Sequence, residues 1–212
     1  MLRFRCLGFS QPSNEEDAKR LLHEIAGRAR HESPTTLLCE PFEGASIRIH
    51  LDEFGDPLLV DTQLDSPLQP FFVESLTPSE HGQGNLLLFS SQDGKPVAPV
   101  QALTKMPKEP METGTICFAE IWGFADSAIL ASQPEPLFAA EQNLDSSISA
   151  RGHLVKSWTK KNKLTGETAN LTTIYFPGFL TSIAFAETVE INPGEVIECK
   201  PTFYASISSR KV

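Results

Sequence analysis

The strongest constraint on this fold is an alternation of apolar and polar residues that recurs along most of the chain. It is clearest over residues 46–52, where every second residue is Ile or Leu, the pattern of a β-strand with one buried face. A turn over residues 53–56 contains a glycine, and the alternation then resumes over residues 58–64. The two segments predict an antiparallel hairpin.

One segment, about residues 14–31, instead has the periodicity of an amphipathic helix. Ser13 and Glu16 form a capping box directly after Pro12, which predicts that the helix begins there. Apolar residues then recur with a period of about 3.6, so that they share one helical face. These residues are Ala18, Leu21, Leu22, Ile25, Ala26 and Ala29. We expect this face to pack against an amino-terminal sheet.

The order of predicted elements gives an α+β, strand-rich fold class. Strand patterns over residues 2–9 and 36–42 lie on either side of the helix, so we predict an amino-terminal β-α-β part with antiparallel hairpins. Residues 116–124 are apolar at both parities, which predicts a central strand buried on both faces. The strand patterns that follow, separated by turn signals, predict an antiparallel β barrel or sandwich.

A candidate boundary between two halves of the chain lies at residues 105–113. This segment has two prolines, four charged residues and no periodicity, which is typical of a linker. We therefore predict an α+β subdomain over residues 1–104 and a mainly antiparallel β subdomain over residues 114–212.

Composition limits the possible partners. The 212 residues include 18 basic and 27 acidic side chains, a net charge of −9, which argues against a uniformly basic surface that coats nucleic acid or acidic membranes. No apolar stretch approaches the roughly 20 residues of a membrane helix, and the amino terminus lacks the apolar core of a signal peptide. We expect a soluble, cytoplasmic protein without membrane contact.

Free thiols are expected at the four scattered cysteines, Cys6, Cys39, Cys117 and Cys199.

Standard catalytic motifs are absent from the sequence. It contains no G-x-S-x-G element, no Walker loop, no H-E-x-x-H motif and no glycine fingerprint for dinucleotides after a strand. The leading hypothesis is therefore a non-enzymatic binding or interaction protein. We expect a protein partner or self-association, and no cofactor.

An alternative hypothesis rests on a local excess of positive charge. Residues 151–163 carry five basic side chains and no acidic one in a chain of net charge −9. Cations beside aromatic rings are what single-stranded nucleic acid needs, because the cations bind phosphates and the rings stack on bases. A barrel with such a hairpin is compatible with an OB-type module. The candidate residues are Arg151, His153, Lys156, Trp158, Lys160, Lys161, Lys163 and Tyr175. The competing interpretations are a solvated lysine-rich turn and a surface for an acidic protein partner.

A third and weaker hypothesis is a metal-dependent enzyme that uses His50, Asp52 and Asp61. His50 and Asp52 are two residues apart on a strand and so share its outward face, and Asp61 lies on the returning strand. Imidazole and carboxylate groups are common metal ligands. The competing interpretation is a solvated polar face on which Arg48 pairs with Asp61.

Overall fold

The computed structural model describes residues 2–78, 83–92, 95–105, 111–133, 138–139 and 149–208. Within these residues the chain forms two helices and fifteen strands. In chain order they are α1 (Leu2–Cys6), α2 (Glu15–Arg28), β1 (Arg30–Ser33), β2 (Thr36–Phe42), β3 (Ala45–Leu51), β4 (Pro57–Leu64), β5 (Leu68–Pro78), β6 (Gln83–Gln92), β7 (Lys95–Lys105), β8 (Ile116–Ala125), β9 (Ala128–Leu130), β10 (Phe138–Ala139), β11 (Ser149–Lys161), β12 (Thr168–Phe176), β13 (Phe179–Phe185), β14 (Val196–Cys199) and β15 (Thr202–Ser208). Neither α1, with 5 residues, nor α2, with 14, could span a bilayer.

The predicted hairpin is present as β3 and β4, within a four-stranded antiparallel sheet of order β1-β2-β3-β4. Ile47 and Ile49 are fully buried on its inner face, as the alternation predicted. On the outer face Arg48 lies directly opposite Asp61. The Arg48 guanidinium nevertheless pairs with Glu32 of β1, with Nε 3.0 Å from Oε2, rather than with Asp61.

Helix α2 begins where predicted but ends earlier. Its N-cap is Asn14, whose Oδ1 accepts a hydrogen bond of 2.8 Å from the backbone N–H of Asp17. The helix ends at Arg28 because the chain then enters β1, so the last predicted turn is wrong. Ile25 is almost fully buried and the neighbouring leucines are partly buried. The apolar stripe thus packs against the four-stranded sheet, as predicted.

The predicted first strand is wrong, because residues 2–6 form α1. Leu2, Phe4 and Cys6 alternate with two arginines, which resembles a strand with one buried face. In the structure Phe4 and Cys6 are buried on a short helix that contacts β8. In the described residues α1 is the only helix or strand ahead of α2. No strand precedes α2 there, so the predicted β-α-β arrangement is not present.

Five strands close into a barrel in the order β5-β6-β7-β15-β8. Neighbouring strands are antiparallel except β7 and β15, which run parallel and meet at Leu103 and Tyr204. Strand β15 also pairs antiparallel with β8 and so closes the ring. A closed β barrel is present, but it is not the antiparallel, carboxy-terminal unit that was predicted, because three of its strands precede the predicted linker and the β7–β15 pair is parallel. The division at residues 105–113 stays a prediction, and residues 106–110 lie outside the described residues.

Strand β8 belongs to two layers of the protein. Its first half pairs with β5, whereas its second half pairs in parallel with β13. From β13 the sheet continues through β12, β11, β14 and β9, and β10 pairs with β11. One face of β8 places Ile121 in a barrel core with Phe71 and Phe203. The other places Trp122 in a second core beneath the four-stranded sheet and α2. Both faces are buried over residues 121–125, whereas Ile116 is 53% exposed, so the predicted burial of both faces holds only for the second half of β8.

Candidate functional site

A β-bulge at Val155 determines where the side chains of β11 point. Before the bulge, His153 lies opposite Tyr175 and Leu154 opposite Ile174. After it, Lys156 lies opposite Thr173. Paired residues of antiparallel strands project to the same side of the sheet. The bulge therefore places Lys156 on the side of His153, whereas strict alternation would have placed it on the buried side with Leu154.

Six of the eight residues predicted to bind nucleic acid consequently share one side of the sheet. We call this side the basic face; its members are Arg151, His153, Lys156, Trp158, Lys160 and Tyr175. The other two residues are not on it. Lys161 lies opposite Thr168 on the reverse side of the sheet. Lys163 lies in the turn after β11, where its backbone N–H donates to the carbonyl oxygen of Pro41 at 2.7 Å.

The aromatic rings of the basic face differ in accessibility. Tyr175 is 43% exposed, so its ring is open to solvent. Trp158 is half-buried and packs against the second core. The Lys156 ammonium lies 4.9 Å from the centre of the Trp158 ring, a cation–π contact that orders the lysine. The basic face thus presents one open ring and one ring already covered by a cation.

Two cations of the basic face have acidic neighbours. Arg151 Nε lies 3.9 Å from Glu198 Oε2, and Lys160 Nζ lies 3.4 Å from Glu43 Oε2. Within the described ranges, Lys156 has no carboxylate within 4.0 Å, and the same holds for Lys161 and Lys163. Lys156 is therefore the cation of the basic face whose charge is least compensated.

The structure brings together two of the three predicted metal ligands. His50 Nε2 lies 2.9 Å from Asp61 Oδ2, and His50 Nδ1 lies 3.3 Å from Thr36 Oγ1. Asp52 is engaged elsewhere, because its Oδ1 accepts the backbone N–H groups of Phe54 and Asp56 in the β3–β4 turn. No group of three or more His, Cys, Asp or Glu side chains in the described part of the chain is arranged to hold a metal ion.

His50 and Asp61 also line a cleft that the sequence did not reveal. Its volume is about 460 Å³, and it lies between α1, the β3–β4 hairpin and the ends of barrel strands β7 and β15. Arg3, Lys105 and Tyr204 line it as well. These residues come from segments far apart in the chain and belong to no motif. Sequence alone therefore held no signal for this cleft.

All four cysteines lie in the described part of the chain and are free thiols. Burial raises the pKa of Cys6 and of Cys199 to about 12 and the pKa of Cys117 to about 11. It also raises the pKa of Cys39. The thiolate is the nucleophile, so a reactive cysteine needs a lowered pKa. None of the four cysteines has one.

We expect the folded protein to react slowly with an aromatic disulfide reagent at pH 8, at a rate roughly a hundredfold below that of the unfolded chain. Cys117 should react first because it is only partly buried. Since the raised pKa keeps these thiols protonated in the folded state, their contribution to stability should be lost as the pH rises above 9. Absorbance of the released thiolate measures the rate. One thiol that reacts as fast as in denaturant would contradict the assignment.

Comparisons of the chain with protein-family models, with curated proteins and with solved structures find no match.

Proposed function

We propose that the protein is a non-enzymatic binding protein that holds single-stranded nucleic acid on the basic face. The observation that supports this proposal most is the bulge at Val155, which aligns Lys156 with His153 and Tyr175. Lys156 would neutralise a backbone phosphate, and the open ring of Tyr175 would stack on a base. Trp158 would support Lys156 from below through their cation–π contact.

The connectivity of the barrel also supports the proposal. Numbered within the barrel, the five strands follow the order 1-2-3-5-4, and the third and fifth are parallel. This connectivity resembles that of OB-type barrels, whose loop between the fourth and fifth strands takes part in binding oligonucleotides. In this chain β11 and β12 lie between those two strands, β8 and β15. The basic face therefore occupies the sequence position of an OB binding loop.

The local charge sets the expected strength of binding. The chain has a net charge of −9, and carboxylates pair with Arg151 and Lys160. Few phosphates would be neutralised, so we expect weak binding that is detectable only at low salt. A second candidate ligand, an acidic protein segment, would use the same cations and would be insensitive to loss of the Tyr175 ring.

The test is fluorescence anisotropy of a labelled oligothymidylate from about 50 mM salt upward. Each neutralised phosphate of a single strand contributes about −0.7 to the slope of log affinity against log salt. Lys156→Ala should flatten the slope by about that amount. Tyr175→Ala should weaken binding by roughly 1 to 3 kcal/mol through lost stacking and leave the slope unchanged.

Matched control variants are available outside the basic face. Lys19→Ala removes an exposed lysine of α2, and Phe54→Ala removes an aromatic ring that is 83% exposed in the β3–β4 turn. Neither should change affinity or slope. Absence of binding at about 50 mM salt, or controls as damaging as the test variants, would reject the nucleic-acid proposal and leave a solvated face.

A further inference from the structure

Among the residues that the structure describes, the cleft is lined by three cations and one carboxylate, a net charge of +2 in a chain of net charge −9. The cations are Arg3, Arg48 and Lys105, and the carboxylate is Asp61. A cleft of about 460 Å³ falls within the size range of small-molecule sites. The charge of the cleft is opposite in sign to that of the whole protein, so it depends on how its own lining residues are paired.

Two of these four charged groups are already engaged by other side chains. Asp61 Oδ2 lies 2.9 Å from His50 Nε2. Arg48 binds Glu32 through Nε and Nη2, and its Nη1 donates to Gln63 Oε1 at 3.1 Å. The positive charge without a compensating partner therefore belongs to Arg3 and Lys105. Neither has a carboxylate within 4.0 Å among the residues that the structure describes.

Arg3 is held in the cleft by an aromatic floor. Its guanidinium carbon lies 5.3 Å from the centre of the Tyr204 ring, and that ring stacks on Trp122 with centroids 6.3 Å apart. Trp122 is itself fixed, because its Nε1–H donates to the carbonyl oxygen of Thr62 at 3.0 Å. Burial raises the pKa of Tyr204, so the phenol stays protonated and adds no negative charge to the floor.

The donors of Arg3 are largely unused. A guanidinium has five N–H donors. In the described chain the side chain of Arg3 makes one hydrogen bond, a long one of 3.5 Å from Nη1 to Thr62 Oγ1. A planar fork of free donors on a rigid support matches the paired oxygens of a carboxylate or a phosphate. Arg5, two residues further along α1, instead pairs with Asp126 and Glu187.

We propose that this cleft binds a small oxyanion, a carboxylate or a phosphate, through the guanidinium of Arg3, with Lys105 supplying a second cation. The site is separate from the basic face and does not depend on binding of nucleic acid there. His50 and Asp61 also line the cleft, and their mutual hydrogen bond fixes both side chains.

The experiment uses the two tryptophans as reporters, because Trp122 lines the cleft and Trp158 lies on the basic face. Two-dimensional ¹H–¹⁵N spectra of the full chain resolve one indole signal for each, and Trp158→Phe assigns them. Inorganic phosphate and sodium acetate are titrated separately against sodium chloride of equal ionic strength. We expect phosphate or acetate to shift the Trp122 indole signal saturably, whereas any shift of the Trp158 signal would report separate binding at the basic face. The anion that binds more tightly identifies the class of ligand.

Arg3→Gln should weaken this binding at least tenfold, whereas Arg5→Gln, which changes the same helix outside the cleft, should leave it unchanged. Arg3→Lys retains the charge without the fork and should bind with intermediate affinity. Lys105→Gln, on barrel strand β7, should weaken binding a few-fold and gives an independent test if the α1 variants do not fold. Equal shifts with chloride, or unchanged binding in the folded Arg3→Gln or Lys105→Gln variant, would overturn the proposal.

Discussion

Replacing Gly152 with alanine should destabilise the protein by about 3 kcal/mol, at the upper end of what overpacking usually costs. A Cβ at this position of β11 would lie 2.7 Å from Ile174 Cγ2, 2.7 Å from Phe176 Cδ1 and 2.8 Å from the carbonyl oxygen of Tyr175. Ile174 and Phe176 are fully buried, and the carbonyl belongs to the paired strand β12. The carbonyl oxygen can move only if the β11–β12 ladder is disturbed, and the two side chains are packed in the barrel core.

Chemical denaturation measures this loss, and Gly27→Ala is the matched control. Apart from its chain neighbours and the backbone of α2, no heavy atom lies within 4 Å of a Cβ built at Gly27, and this residue lies inside α2. Alanine there should stabilise the protein by roughly 0.5 to 1 kcal/mol, because it favours the helix over the unfolded chain. The same substitution should thus lower the free energy of unfolding at Gly152 and raise it at Gly27. A loss below about 1 kcal/mol at Gly152 would show that β11 packs less closely on β12 than described.

Asn162→Asp should have an effect of similar or larger size, a loss of roughly 3 to 5 kcal/mol at pH 7. Asn162 is 1% exposed and lies in the turn after β11. Its Nδ2 donates to the carbonyl oxygens of Leu7 at 2.9 Å and Gly8 at 3.4 Å. Its Oδ1 accepts the backbone N–H of Leu164 at 2.8 Å. Aspartate would keep the acceptor but would set a buried negative charge against two carbonyl oxygens.

The pH dependence distinguishes this cause from a general packing defect. A buried carboxyl beside carbonyl oxygens has a raised pKa, and its protonated form can donate to one of them. The loss in free energy of unfolding should therefore be smaller at pH 5 than at pH 7. Asn14→Asp is the control, because the N-cap of α2 needs only an acceptor, and it should change stability by less than about 0.5 kcal/mol. A pH-independent loss at Asn162 would contradict the charge argument.

The parts of the fold that the sequence predicted correctly are those in which burial follows a regular period. The β3–β4 hairpin and the start of α2 each have a period that only one secondary structure can satisfy. In β8 both parities are apolar because its two faces lie in different cores. Each of these signals is local, so it could be interpreted without knowing which strand lies beside which.

The features that escaped prediction depend on contacts between distant segments. The pattern over residues 2–6 fits a strand as well as one helical turn. The helix forms because it packs Phe4 and Cys6 beside β8. Strands β5 to β7 join β8 and β15 in the barrel although no residue pattern specifies that pairing. The charged residues of β11 were visible in sequence, but the bulge at Val155 that selects their common face was not.

The barrel can close only after nearly the whole chain has been synthesised, because its closing strand, β15, is the last strand in the described part of the chain. Strand β15 joins β7 to β8, and the ribosome makes it only after β9 to β14. Without β15, strands β5 to β8 can pair only as an open sheet, and the edges of β7 and β8 that β15 covers would be unpaired. Such edges pair readily with other chains, and contacts this distant in sequence form slowly. We therefore expect the edges of β7 and β8 to be open to pairing with other chains between translation of β8 and of β15.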